Sequence, residues 1–133
     1  IGGGSVGVET AGHVAQDFKH VSILEVRDGI SLDGEYSNNY FLFKILDEFK
    51  VDVHTKAFFQ NYDGETVTYK YKDKEYEIDD VSDIIVAVGS SSNQDLYEAL
   101  KDTGIRTVLT GDAKDVKQGI RNIEESYYLG WSL

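Results

Sequence analysis

Three glycines near the start of the chain are spaced to handle an anion. Gly2, Gly4 and Gly7 form G-x-G-x-x-G and run straight into a stretch with helical periodicity. In such a turn the first glycine permits the tight bend. The second lets a pyrophosphate approach the backbone, and the third lets the helix pack closely on a strand. The phosphates would sit at the helix start, where the N–H groups of Ser5, Val6 and Gly7 have no partner within the helix and the dipole favours negative charge. Glu25 stands 18 positions after Gly7, at the end of the next apolar run. That is where a carboxylate accepts hydrogen bonds from an adenosine ribose, so the residues together read as a dinucleotide-binding turn. A carboxylate there repels a 2′-phosphate and favours NAD over NADP, while Arg27, two residues on, pulls the other way. The plain alternative is a glycine-rich tail followed by a solvated strand end carrying Glu25 and Arg27.

The elements that must position these residues follow from periodicity. Ser5 to Phe18 reads as a helix through Val8, Ala11, Val14, Ala15 and Phe18, and Val21 to Val26 as a buried strand. Asp28 to Ser37 is an acidic loop with two glycines. Asn38 or Asn39 is placed to cap a helix carrying Phe41, Leu42, Ile45, Leu46 and Phe49 on one face. Val51 to Phe58 reads as a second strand. Thr66–Tyr71 and Glu75–Ile78 alternate apolar or aromatic with polar residues around Lys72-Asp73-Lys74, a half-solvated hairpin. Asp83–Val88 is an apolar strand ending at Gly89, Asp95–Asp102 a short helix closed by Gly104, and Arg106–Thr110 a strand ending at Gly111-Asp112. Val116–Leu129 is a last helix with Ile120, Ile123 and Tyr127 turned inward. Alternating strands and helices specify an α/β fold, a Rossmann-like and mainly parallel sheet with an antiparallel hairpin insertion.

The bulk composition narrows the partners. With 13 basic and 24 acidic side chains the net charge is −11, a field that repels nucleic-acid backbones and anionic lipid. An anionic dinucleotide must therefore be held by local donors. No cysteine is present, which removes disulfides and thiolate metal sites, so no metal centre is expected. His13, His20 and His54 have no metal-ligand spacing and read as surface or internally satisfied. Tyr69, Tyr71 and Tyr76 read as cover for one hairpin face rather than a stacking platform. No stretch approaches about 18 apolar residues and no basic, apolar leader opens the chain, so a cytoplasmic home is expected. Ile1 running directly into glycines reads as a chain entered partway through an element.

The order of motifs resembles the pyridine-nucleotide domain of the two-dinucleotide-binding-domain flavoproteins. IGGGSVGVE at 1–9, ILEVRD at 23–28, the hairpin, IIVAVG at 84–89, SSN at 91–93 and VLTGDA at 108–113 follow that family in sequence. GDAKDVKQGIRNIEESYYLGW at 111–131 is most similar to the C-terminal part of old-yellow-enzyme-type NADH:flavin oxidoreductases, the 2,4-dienoyl-CoA and 2-enoate reductases. The resemblance implies that residues 1–104 are an NAD(P)-binding domain lacking most of its first strand and that 105–133 return to an FAD domain. It implies NAD(P)H reducing FAD, with FMN and an iron–sulfur cluster in the remainder of the parent flavoenzyme. It also assigns roles: Gly2, Gly4 and Gly7 form the turn, Glu9 lies near the nicotinamide, Glu25 holds the ribose, Gly89 lies beside the cofactor and Asp112 contacts the flavin. The flavin domain's own glycine motif, the barrel and the cluster cysteines are absent from these residues, and Ser90-Ser91-Ser92 stands where relatives often carry Arg or Pro. The fragment alone is expected to be inactive.

Blander readings accompany several residues. Glu9 also reads as a surface acid, and Asp112 as the cap of the last helix. An interaction or scaffold fragment, or the same domain from an NADH oxidase or a ferredoxin-reductase-like protein, are the rival functions. The short first strand is central in this sheet order, and its loss exposes edges that invite pairing. Either a second chain fills the gap, giving a homodimer, or Arg106–Thr110 moves into it.

Overall fold

The apolar runs at 21–26 and 51–55 become sheet neighbours. In the computed structural model, which describes residues 1–32, 34 and 36–132, β1 (Ser22–Glu25) and β2 (Asp52–Thr55) pair in parallel from Ser22↔Asp52 to Glu25↔Thr55. Asp33 and Glu35 of the acidic loop, and Leu133, lie outside the described residues. A parallel pair needs a crossover, which α2 (Tyr36–Glu48) supplies. α1 (Ser5–Val14) packs on α2 and β1. Val8, Ala11, Ile23 and Leu46 are buried together, with Val21, Ile30, Leu42 and Val51 around them. Burying each of Val8, Ile23 and Leu46 is worth about 1.5–3 kcal/mol, which is what ties the helix carrying the glycine motif to the strand carrying Glu25.

Several boundaries differ from the sequence reading for local reasons. α1 stops at Val14 rather than Phe18, because its last turn tightens into bonds from Gln16 N to His13 O and Asp17 N to Val14 O, leaving Phe18 half exposed. α2 starts at Tyr36, so neither Asn38 nor Asn39 caps it; the Asn39 side chain is bonded to Ser31 instead. Phe41 and Phe49 do not share the buried face. Phe41 is 65% exposed and Phe49, beyond the helix end, 40%. The helix closes with bonds from Val51 N to Leu46 O (2.8 Å) and from Lys50 N to Asp47 O (3.2 Å), a Schellman motif with Lys50 in the left-handed position at φ 53°. Glycine is the favoured residue there. Lys50→Gly is expected to raise stability by about 0.5–1 kcal/mol, read as a melting point a few degrees higher.

Val51–Phe58 is not one strand. Lys56 adopts φ 53° and donates its N–H to Arg27 O at 2.8 Å, which breaks the run. The chain then enters β3 (Ala57–Tyr62), the first strand of an antiparallel sheet with β4 (Val67–Tyr71) and β5 (Lys74–Ile78). The insertion is therefore three-stranded, with a bulge between Phe59 and Asn61. Its buried face carries Ala57, Val67 and Tyr69, packed with Leu24 of β1 and with Ile78, Val81 and Ile84. Tyr69 stacks on Tyr76 at 5.6 Å and its hydroxyl meets His54 Nδ1 at 3.1 Å. Burial, with Tyr76 beside it, pushes the Tyr69 phenol up.

The start of the chain sits between β1 and the segment after β5. Gly2 N donates to Leu24 O at 2.9 Å on one side, and Ala87 N donates to Ile1 O at 2.7 Å on the other; Ile1 N donates to Ile85 O at 2.6 Å. Ile1 and Gly2 thus hold the central place of the parallel layer. Asp83–Val88 forms no strand, contrary to its apolar pattern. Beyond Ile1 an apolar cleft of about 210 Å³ opens between β1 and residues 79–87, lined also by Val14, Phe18, Val67 and Ile78.

The chain divides into two units, Ile1–Gly89 and Ser90–Leu133. In the second, α3 (Asp95–Leu100) is followed by Gly104 at φ 82°. Arg106–Thr110 forms no strand, so the expectation that it takes a place in the sheet is overturned. A 3₁₀ turn at Gly111–Ala113 precedes α4 (Gly119–Ser132). Asn122 and Glu125 hold the 111–117 segment: Asn122 Nδ2 donates to Asp112 Oδ1 at 2.5 Å, and Glu125 pairs with Lys114 at 2.5 Å and with Lys117. The hydrogen bonds from these two lysines hold the Glu125 carboxyl below its usual range. That choice of face leaves Ile120, Ile123 and Tyr127 exposed by 66, 68 and 59% rather than inward. Among the described residues no helix is long and apolar enough to cross a membrane.

Candidate functional site

The three motif glycines meet different surroundings. Gly2 has φ 101°, and a Cβ on it would lie 2.3 Å from Ala87 O. A Cβ on Gly7 would lie 1.9 Å from Gly2 O. Both contacts are with backbone, so both positions exclude any side chain. Gly4 is the contrast: its φ is −67°, and the nearest atom to its Cβ position is Arg27 Nη2 at 3.8 Å. Among the described residues nothing requires a glycine at position 4. The space over it is open, as the approach of a pyrophosphate requires.

Gly4 is also the N-cap of α1 and makes no side-chain cap, and the first helical bond runs from Val8 N to Gly4 O at 3.0 Å. The N–H groups of Ser5, Val6 and Gly7 therefore head the helix, directed at the same opening. Val6 is exposed and Ser5 half-buried. Glu9, one turn further along α1, is exposed.

Glu25 ends β1 and is buried at 4% exposure. Its Oε2 accepts Gly3 N–H at 2.6 Å, and its Oε1 accepts Arg27 N–H at 2.7 Å and Arg27 Nε at 3.3 Å. Burial works to raise this carboxyl. The N–H donors of Arg27 and Gly3 and the Arg27 charge outweigh it, so the group sits below its ordinary value. Strand end and glycine turn are thus one hydrogen-bonded object, with the Arg27 guanidinium beside Gly4. Among the described residues Oε1 has two donors, whereas Oε2 has one and keeps a further acceptor position.

Three residues that the sequence did not mark as part of a site, Ser31, Gly34 and Asn39, complete this arrangement. Ser31 N–H donates to Gly3 O at 2.6 Å, and Ser31 is itself held by Asn39. Gly34 must be small there, because a Cβ would lie 2.5 Å from Asn39 Oδ1. Only the glycines flanking that loop hinted at a tight turn. Gly89 lies two residues past Ala87, the residue that meets Gly2 and Ile1, with φ 95° and open space around it. Asp112 belongs to the second unit. It caps no helix, since α4 starts seven residues later, and its carboxylate is taken by Asn122.

Among the described residues the first unit fits a dinucleotide on this geometry: a crowded Gly2 and Gly7, an open Gly4, helix-start donors with no partner and one further carboxylate acceptor position. Asp112 alone offers no comparable cradle for a flavin.

Comparison with known proteins supplies the chain's relatives. The chain is 25% identical over 134 residues to an NADH oxidase of Thermoanaerobacter brockii, covering 100% of this chain and 21% of that protein. It is 29% identical over 130 residues to a cinnamate reductase of Clostridium sporogenes, covering 96% and 19%. The chain therefore spans about a fifth of the length of the curated relatives it matches. A solved 2-naphthoyl-CoA reductase superposes with a TM-score of 0.84 at 22% identity, covering 98% of this chain and 20% of that one. A bacillithiol disulfide reductase from Staphylococcus aureus reaches 0.65 at 19% identity over 83% of this chain and 34% of its own. These likenesses show the fold. Residues 1–114 match the family described as pyridine nucleotide-disulphide oxidoreductase; the chain belongs to that family of flavoprotein oxidoreductases.

Proposed function

We propose that this chain is the NAD(H)-binding part of a flavin-dependent oxidoreductase and that it positions the nicotinamide for hydride transfer to FAD. The observation that carries the reading is the contrast among the glycines: two are dictated by backbone crowding, and the third, Gly4, is left open at a helix start. Gly4, Ser5, Val6 and Gly7 hold the pyrophosphate through backbone N–H groups. Glu25 Oε2 accepts one hydroxyl of the adenosine ribose. Arg27 lies beside the phosphates, a local positive charge in a chain whose net charge is −11. Glu9 and Gly89 lie toward the nicotinamide end, and Asp112 approaches the flavin only when the rest of such an enzyme is present. The bound cofactor supplies the hydride; the chain supplies position and charge.

The names of the relatives, a cinnamate reductase among them, favour a parent enzyme that reduces an activated carbon–carbon double bond, in the manner of enoate and dienoyl-CoA reductases. FMN and an iron–sulfur cluster would then belong to the remaining parts, since these 133 residues contain no cysteine.

Calorimetry with NADH and NADPH on the 133-residue chain tests the reading. NADH is expected to bind, NADPH to bind more weakly, and Glu25→Ala to weaken NADH by about tenfold or more, the worth of a hydrogen bond to a charged group. A folded chain that binds neither nucleotide overturns the reading.

A further inference from the structure

We infer that Asn39 is a positioning residue for the phosphate-binding turn, acting through Ser31 and the Gly3 carbonyl; this rests on the dinucleotide reading above. Ser31 is buried at 1% exposure and holds φ 48°, a left-handed conformation that costs a non-glycine residue about 1 kcal/mol. Four contacts fix it there. Its Oγ donates to Asn39 Oδ1 at 2.7 Å, and Asn39 Nδ2 donates to its carbonyl at 2.9 Å. Gly34 N–H donates to the same carbonyl at 3.1 Å, and the Ser31 N–H donates to Gly3 O at 2.6 Å.

The last bond sets a direction. Across a planar trans peptide the Gly3 carbonyl and the Gly4 N–H point opposite ways. With Gly3 O drawn to Ser31, Gly4 N–H must face away from the 26–34 loop, into the open space over position 4. The Gly3 N–H is fixed as well, on Glu25 Oε2. Both peptide planes around Gly3 are therefore held, one by Glu25 and one by the Asn39–Ser31 latch. Without the latch the Gly3–Gly4 peptide is free to rotate, which withdraws a donor from the phosphates and turns a carbonyl toward them.

Asn39→Ala removes the latch. Asn39→Asp keeps the size and the Oδ1 acceptor but loses the Nδ2 donor. NADH, ADP and adenosine are titrated against the wild type and both variants, with melting temperatures and amide exchange recorded. The latch predicts that NADH and ADP weaken about tenfold, the worth of one hydrogen bond. Adenosine, which has no phosphate, should change by less than about twofold, and the Ser31 amide should exchange faster. Equal losses for all three ligands would mean general loosening and overturn the inference, as would unchanged ADP affinity in folded variants. If wild-type protein binds no dinucleotide, the functional reading fails on its own. Amide exchange then judges the latch: unaltered exchange at Ser31 in both variants rejects it.

Discussion

Gly7→Ala is expected to destabilise the first unit severely. The added methyl would meet Gly2 O at 1.9 Å and Ala87 Cβ at 3.5 Å. The first obstacle is backbone, and Gly2 cannot retreat, since Leu24 O and Ala87 hold it and its neighbour Ile1. The clash is relieved only by lifting α1 from β1, which opens the cluster of Val8, Ala11, Ile23 and Leu46. Overpacking of side chains costs about 1–3 kcal/mol, and a collision with backbone exceeds that. A small domain has about 5–15 kcal/mol in all, so a melting point lower by at least about 15 °C is expected. Gly4→Ala is the counterpart. Its methyl enters open space at an ordinary φ, so the melting point should stay within a few degrees while NADH affinity falls by at least about tenfold, as a methyl blocks the phosphates. Thermal melts by circular dichroism, with calorimetry, separate the two. A Gly7→Ala protein that melts with the wild type would contradict the packing of α1 on the turn.

Glu25→Gln is expected to destabilise by about 2–4 kcal/mol at neutral pH, because a buried amide replaces a carboxylate with three donors around it and turns its own NH₂ toward one of them. The pH dependence has a definite sign. Burial opposes ionisation of Glu25, but the N–H donors of Arg27 and Gly3 and the Arg27 charge win, and the folded carboxyl titrates lower than usual. A depressed carboxyl adds stability that is full above the ordinary glutamate value of about 4.3 and disappears as pH falls through the folded value. The wild-type advantage over Glu25→Gln should hold from neutrality down to about pH 5 and shrink below about pH 4. Chemical denaturation of both proteins across that range measures it. A gap that widens toward acid would mean the carboxyl is held protonated, contrary to the three donors.

Elements legible in the sequence differ from the rest along a physical line. The glycine motif, the strand at 22–25 and Glu25 at its end were legible, because each rests on spacing within a few residues and on a burial pattern. Strand pairing was not. Asp83–Val88 and Arg106–Thr110 have apolar patterns that say buried, yet a strand exists only beside a partner, and the pattern carries no partner. Lys56 split Val51–Phe58 through a positive φ that propensity does not assign to lysine. Asn39 is a favoured cap residue, and a tertiary bond to Ser31 took its side chain instead. The spacing placed Glu25 at a strand end beside the glycine turn but could not show that Gly3 and Arg27 would occupy most of its carboxylate. The roles of Glu9, Gly89 and Asp112 toward cofactors came from family resemblance and stay with the proposed function.

The bonds at Ile1 and Gly2 have a consequence for how the first unit holds together. Ile1 reaches a residue 84 positions away, whereas α1–β1–α2–β2 and the three-stranded insertion are built from contacts close along the chain. Loop-closure entropy grows as about (3/2)RT ln n, so this clasp carries the largest ordering cost in the unit, and two hydrogen bonds, from Ile1 N to Ile85 O and from Ala87 N to Ile1 O, span it directly. Local opening is cheapest where few bonds hold a long loop. The clasp is also the first glycine of the phosphate turn. A ligand that orders the turn therefore tightens the fastening of the whole unit, and binding and cohesion draw on the same two residues.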